Sequence, residues 1–246
     1  MLFYRSFGSP EKQLLVFLHG FLGSHKDFLP IIKRLQNDFF CVAIDLPGHG
    51  KSPYQKEILH LVEETIARLS QKPILVGYSM GGRIALHLNK PLEAMYVLAF
   101  SAHTGVLSSE ERQQKRQEEL LWKKRLLSLS PKDFIELWYK QPIFHTLHEN
   151  KELLKKRLYK NPKELAHILE EMRLTKLPPP TLYADSTVFF FGENDNKYKE
   201  HYKLLSKEYL AQEIPHAGHS VILENPKKCA ELIKNQIVNL KKRRPL

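Results

Sequence analysis

The stretch from Pro73 to Leu88 does most to limit what this chain can fold into. The apolar run Pro73-Ile74-Leu75-Val76 breaks at Gly77-Tyr78-Ser79-Met80-Gly81 and resumes as Gly82-Arg83-Ile84-Ala85-Leu86-His87-Leu88, whose apolar spacing is helical. This reads as strand, sharp turn and helix, with a serine at the apex. A strained backbone at the serine needs small neighbours, which Gly77 and Gly81 supply. The geometry pushes the hydroxyl above a sheet and places a helix N-terminus behind it, where backbone N–H groups face any developing negative charge.

The same rhythm extends in both directions. Leu14–Leu18 reads as a buried strand, His25 to Asn37 as a helix, Phe39 to Ile44 as a strand and Ile58 to Leu69 as a helix. Ala94 to Phe100 is a further strand. Strands alternating with helices predict an α/β fold, a mostly parallel sheet flanked by helices. The alternation stops between about Leu107 and Lys176, where Lys, Arg, Glu and Gln dominate and apolar residues recur at helical intervals. Pro131, Pro142 and Pro162 divide this stretch into short helices, and Leu177-Pro178-Pro179-Pro180 marks its exit. The α/β rhythm returns with the strand Val188–Phe191, a helix through Tyr198 to Glu208, a strand at Leu210–Ile214 and a last helix from Pro226 to Lys241. The expected organisation is a core of residues 1–106 and 178–246, with residues 107–177 inserted as a helical cap.

A serine at such a turn needs a histidine to carry its proton and a carboxylate to orient that histidine. In this architecture the order along the chain is serine, acid, histidine. The acid belongs after the strand Val188–Phe191, where Glu193 and Asp195 both lie; Asp195 sits deeper in the loop and is preferred. The histidine belongs in the turn Pro215-His216-Ala217-Gly218-His219, where the small Ala217-Gly218 pair favours His219 over His216. His87, His145, His148 and His167 read as packed or surface residues. His19-Gly20-Phe21-Leu22-Gly23 follows the first buried strand, so the amides of Phe21 and Met80 form the natural oxyanion-binding pair. His19 and the loop Asp45–Ser52 read as structural.

Charge narrows the ligand. The 246 residues carry a formal net charge of +11, with excess Lys and Arg between Arg112 and Lys163 and in the tail Lys241-Lys242-Arg243-Arg244. An anionic partner follows. Nucleic acid is disfavoured, because the basic residues are mixed with Glu and no recognition motif or interleaved aromatic series is present. No apolar run is long enough to span a bilayer, so stable membrane insertion is not expected. Cys41 and Cys229 show neither disulfide nor metal spacing. With no leader pattern at the N-terminus, a cytoplasmic protein is expected. Monomer and homo-oligomer both remain open.

Taken in order, these motifs resemble the α/β-hydrolase superfamily over nearly the whole chain. More narrowly, the chain resembles the synthase family that forms 2-succinyl-6-hydroxy-2,4-cyclohexadiene-1-carboxylate in menaquinone synthesis. The narrower likeness rests on several segments: Ser79-Met80-Gly81-Gly82-Arg83, His103-Thr104-Gly105, Trp138-Tyr139-Lys140-Gln141-Pro142-Ile143-Phe144, Gly192-Glu193-Asn194-Asp195-Asn196-Lys197-Tyr198 and Glu224-Asn225-Pro226. The resemblance implies a lyase that eliminates pyruvate without a cofactor or metal, with Ser79 as base, activated by His219 and oriented by Asp195. It also implies a substrate bearing several carboxylates, which arginine suits. Arg83 lies one turn beyond the serine. Arg112, Lys115 and Arg116 lie on the first cap helix at spacings that let two share a face. Arg157 matches one substrate arginine of the family, and Lys115 falls where the other is expected, with Arg116 beside it. Tyr78 and Trp138 match pocket positions. The alternative is a carboxylesterase or carbon–carbon hydrolase with the same three residues, for which an apolar cap would be expected. A non-catalytic binding protein of this fold would have no need to keep all three.

Overall fold

The computed structural model describes residues 1–105, 107–147, 150–157, 159, 161–205 and 207–243, without the side chains of 151, 156 and 240–243. The first expected boundary at Val106, His148 and the side chains of the basic tail fall outside the described residues. Strands β1 (Tyr4–Phe7), β2 (Leu14–Leu18), β3 (Phe40–Ile44), β4 (Ile74–Tyr78), β5 (Tyr96–Phe100), β6 (Thr187–Gly192) and β7 (Leu210–Ile214) form one sheet in the order β1-β3-β2-β4-β5-β6-β7. All neighbours are parallel except β1, which runs antiparallel along β3.

The continuous apolar runs follow from covering the sheet on both faces. Leu14, Val16 and Leu18 of β2 point into one cluster with Ile58 and Val62 of α2 (Ile58–Ala67) and Ile84 of α3 (Met80–Leu88). Leu15 and Phe17 point into the other, with Ile31 and Leu35 of α1 (Leu29–Leu35). Cys41 and Cys229 are free and buried in that second cluster, and burial pushes the Cys41 thiol up to about 12.

Two local departures have physical causes. The helix expected from His25 is a 3-10 turn, His25–Phe28, followed by α1. Pro30 has no N–H to give and its ring would crowd the carbonyl four residues back, so an α-helix cannot run through this point. Strand β1 is half-exposed, with Arg5 and Ser6 outward and Tyr4 and Phe7 partly buried, because an edge strand needs no alternating apolar face.

Between β5 and β6 lie α4 (Ser109–Ser128), α5 (Pro131–Tyr139), a 3-10 turn at Pro142–Phe144, α6 (Lys151–Lys156) and α7 (Pro162–Glu171). Each proline opens its helix, where the missing N–H costs nothing. Ser108, Ser130, Asn150 and Asn161 accept the first free backbone N–H groups of α4, α5, α6 and α7. Leu126, Phe134, Leu165 and Ile168 bury the inner face of this segment against the cluster containing α3. Helices α8 (Asn196–Leu205), α9 (Val221–Glu224) and α10 (Pro226–Arg243) complete the chain. No helix among the described residues is long and apolar enough to cross a membrane.

Candidate active site

Register places the serine. Gly77 of β4 lies opposite Leu18 of β2, so the chain leaves the sheet at Ser79 directly beside the loop that starts at His19. Ser79 has φ 51° and ψ −111°, a costly conformation for a residue with a side chain. It is fixed by Ser79 N donating to Phe100 O at 2.9 Å and by Arg83 N donating to Ser79 O at 3.1 Å. Two glycines make the turn possible. A Cβ on Gly77 would stand 2.4 Å from Gly81 O, and one on Gly81 would stand 2.1 Å from Leu18 O.

The other two residues arrive from the ends of β6 and β7. His219 Nε2 lies 3.3 Å from Ser79 Oγ, and His219 Nδ1 lies 2.9 Å from Asp195 Oδ2. The second oxygen of Asp195 accepts from Tyr198 N at 3.3 Å. His219 and Asp195 are buried, and the rings of Tyr198 and Phe144 pack 4.8 and 5.6 Å from that of His219. The rival candidates bind each other instead: His216 N donates to Glu193 Oε2 at 2.8 Å, on the outside of the same pair of loops. Those loops are joined by Asn194 N donating to Ala217 O at 2.8 Å.

The amides of Phe21 and Met80 have no hydrogen-bond partner among the described residues, and both residues line the same cavity as Ser79 and His219. Behind Phe21, His19 donates from Nδ1 to Gly20 O at 2.7 Å and accepts at Nε2 from Leu46 N at 3.0 Å. His49 accepts at Nε2 from Leu22 N at 3.2 Å, its Nδ1 lying 3.0 Å from Pro47 O. Burial pushes His19 down to about 4 and His49 down to about 3, so both are neutral at pH 7. The loop after β3 is a brace, as its sequence suggests. Asp45 takes the amides of His25 and Lys51 at 2.7 and 2.8 Å.

The cavity holds about 620 Å³ and lies between this strand-end cluster and the helices that follow β5. Such a volume suits a small molecule. Trp138 forms part of an aromatic wall, with ring centroids 5.0 Å from Phe21 and 4.9 Å from Trp122. Arg83 reaches the cavity and donates to Met172 O; burial lowers its guanidinium to about 10, so it stays charged at neutral pH. Lys115 also lines the cavity but is paired with Glu118 at 2.6 Å.

Four of the expected ligand contacts are placed elsewhere. Tyr78 is not in the cavity lining; its hydroxyl lies 3.0 Å from Ser220 Oγ and its ring backs His219. Arg112 turns toward Thr175 O at 3.2 Å, and Arg116 lies on the exposed side of α4. Arg157 is buried and pairs with Asp27 at 2.7 Å. Helical spacing told which residues share a face but not where that face points.

Other cavity residues were not among the expected ligand contacts. Lys197 lines it with no carboxylate within 4.0 Å among the described residues, and burial and the nearby Lys115 lower its ammonium. His103 lines it too, with Nδ1 accepting from Gly105 N at 3.0 Å, which leaves the Nε2 proton as a neutral donor. Lys197 could have been found, because it sits two positions beyond the acid on the first turn of α8. Among the described residues no group of His, Cys, Asp and Glu could hold a metal ion.

The model of the alpha/beta hydrolase family matches residues 15–232. A Photorhabdus laumondii 2-succinyl-6-hydroxy-2,4-cyclohexadiene-1-carboxylate synthase is 33% identical over 87% of this chain and 81% of its own length. The enzyme of the same name from Escherichia coli K12 is 31% identical over 89% of this chain and 91% of its own. A Haemophilus influenzae protein provisionally given that name is 33% identical, covering 92% of this chain and 98% of its own. Among solved structures, MenH from S. aureus superposes with a TM-score of 0.85 at 22% identity, over 99% of both chains, which speaks to the fold alone.

Proposed function

This chain belongs to the alpha/beta hydrolase family, and on that premise we propose that it is a lyase of menaquinone (vitamin K2) synthesis. The proposed reaction eliminates pyruvate from 2-succinyl-5-enolpyruvoyl-6-hydroxy-3-cyclohexene-1-carboxylate, giving 2-succinyl-6-hydroxy-2,4-cyclohexadiene-1-carboxylate. One observation carries the reading beyond the family. The Ser79–His219 pair opens into a cavity where Arg83 and Lys197 have no carboxylate within 4.0 Å among the described residues. Two cations without a direct ion pair, acted on only at a distance by Glu119 (Arg83) and by Glu118 and Asp195 (Lys197), stand beside a reactive serine and suit a substrate that brings its own carboxylates. This one carries a carboxylate on the ring, on the succinyl arm and on the enolpyruvoyl group.

The ring hydrogen beside the succinyl ketone is the acidic one. Ser79 Oγ takes that proton while passing its own to His219 Nε2, and Asp195 stabilises the resulting imidazolium. The electron pair moves onto the ketone oxygen, which receives the amides of Phe21 and Met80. As the pair returns, a double bond forms at the deprotonated carbon, the ring alkene shifts by one position and the ring carbon–oxygen bond breaks. The departing enolate takes up a proton and tautomerises to pyruvate. No acyl-enzyme forms. Residues 107–177 serve as the cap over the cavity, and residues 1–106 and 178–246 supply the reacting groups together with Arg83 and Lys197.

The test is pyruvate release, followed through lactate dehydrogenase, from substrate made by the preceding enzyme. The wild-type chain is expected to release pyruvate and Ser79→Ala to lose at least about a thousandfold in kcat. Rapid turnover of simple activated esters with no pyruvate release would assign the site to a carboxylesterase instead.

A further inference from the structure

Among the expected ligand contacts that the structure places outside the cavity lining, Arg157 has partners that form a path to the proposed oxyanion site. It caps the C-terminal end of α6 and is buried. Its Nη1 donates to both oxygens of Asp27, at 2.9 and 2.7 Å, and to Leu22 O at 3.2 Å. From Leu22 the path runs through peptide planes. The carbonyl of Leu22 and the N–H of Gly23 belong to one rigid unit. Gly23 N donates to Gly20 O at 3.0 Å, and that carbonyl shares a peptide plane with the N–H of Phe21. Leu22 has φ 61°, a left-handed conformation that a leucine holds only when its surroundings impose it. His49 holds its N–H and Arg157 its carbonyl. Asp27 reinforces the same loop by accepting from Ser24 N in the cap of the 3-10 turn.

We infer that Arg157 is a positioning residue: paired with Asp27, it locks the Leu22 peptide and so aims the Phe21 amide, and it does not grip substrate. This rests on the proposed use of that amide as an oxyanion donor. Turning Arg157 toward a ligand would leave the Asp27 carboxylate, 11% exposed, without its counter-charge. Arg157 is also absent from the cavity lining, where Arg83 and Lys197 already stand.

The experiment compares the wild-type chain, Arg157→Ala, Asp27→Asn and the double variant in two assays. One is pyruvate release, resolved into kcat and KM. The other is the second-order rate at which an alkyl fluorophosphonate captures Ser79, since that probe uses the oxyanion donors but carries no carboxylate. Thermal melting establishes that each variant is folded. Each single change is expected to lower kcat and probe capture together, by about 10- to 100-fold, with KM within about threefold of wild type. The double variant is expected to be no worse than the worse single, because both act through one contact. If Arg157→Ala raises KM more than tenfold while kcat and probe capture stay at wild-type values, Arg157 binds substrate and the inference is overturned. Asp27→Asn with wild-type behaviour in both assays overturns it equally. Asp27→Asn removes charge without changing shape, so it carries the test by itself if Arg157→Ala does not fold. A wild-type chain that is captured by the probe but releases no pyruvate would overturn the proposed substrate, and the probe assay would still decide the role of Arg157.

Discussion

Lys197 stands on the cavity wall two positions after Asp195, lowered by burial and by Lys115. If it grips a substrate carboxylate, Lys197→Ala raises KM about tenfold and leaves kcat within about threefold, because the lost contact is the same before and during reaction. Steady-state pyruvate release measures both, and Lys197→Arg should restore most of the affinity. The contrast between this residue and the buried trio marks how far single residues were legible. Ser79, Asp195 and His219 follow from chain order and strand ends, and the distances of 3.3 and 2.9 Å join them. Glu193 and His216 were plausible by position; loop depth and the small Ala217-Gly218 pair favoured Asp195 and His219, and the contact between His216 and Glu193 adds what sequence does not carry. Arg112 and Arg116 had the right charge and spacing and Arg157 the family position, yet Arg112 is directed by Thr175 and Arg157 by Asp27, both far along the chain, while Arg116 faces solvent. The destination of a long basic side chain is a tertiary property.

Glu171, at the end of α7, completes an element to which it does not belong. Helix α2 begins after Glu57, which has φ 65° and gives no side-chain cap. The carboxylate of Glu171 accepts the free N–H groups of Glu57 and Ile58 at 3.0 and 3.2 Å, and the hydroxyl of Tyr54 at 3.0 Å. It therefore caps α2 from the inserted segment. Glu171→Ala should lower unfolding stability by about 1–2 kcal/mol, read as a lower denaturation midpoint at unchanged slope. Faster hydrogen exchange at the start of α2 would locate the effect. Legibility at this scale followed the same division. Apolar runs and prolines marked β2, β4 and the openings of α5 and α7, because those signals are local. Strand β1 was not readable, since it is defined by pairing with β3 rather than by its own pattern. The break before α1 was written in Pro30 but outweighed by the helical spacing around it.

The whole molecule inherits an acid limit from two histidines that brace the loop after β2. His19 and His49 are buried and held neutral by burial, at about 4 and about 3. An unfolded histidine takes its proton near pH 6.5. Between that value and the folded ones the unfolded chain binds protons that the folded chain refuses. Stability is therefore fully present above about pH 6.5 and is lost as pH falls toward the folded values. Each residue contributes at most about 1.4 kcal/mol per pH unit to that slope. Melting temperature should be level above pH 7 and fall steadily from pH 6.5 to 4, with a shallower fall in His49→Gln. One further property belongs to the molecule as a whole. Strands β5 and β6 are hydrogen-bonded neighbours, Phe100 opposite Phe190, although α4 to α7 intervene along the chain. Widening one connection costs little closure entropy, which grows only with the logarithm of its length. The inserted helices are thus a single detour between two strands that are already neighbours. Recombination at the two ends of that single cassette can replace the cavity's roof while every strand keeps its neighbour.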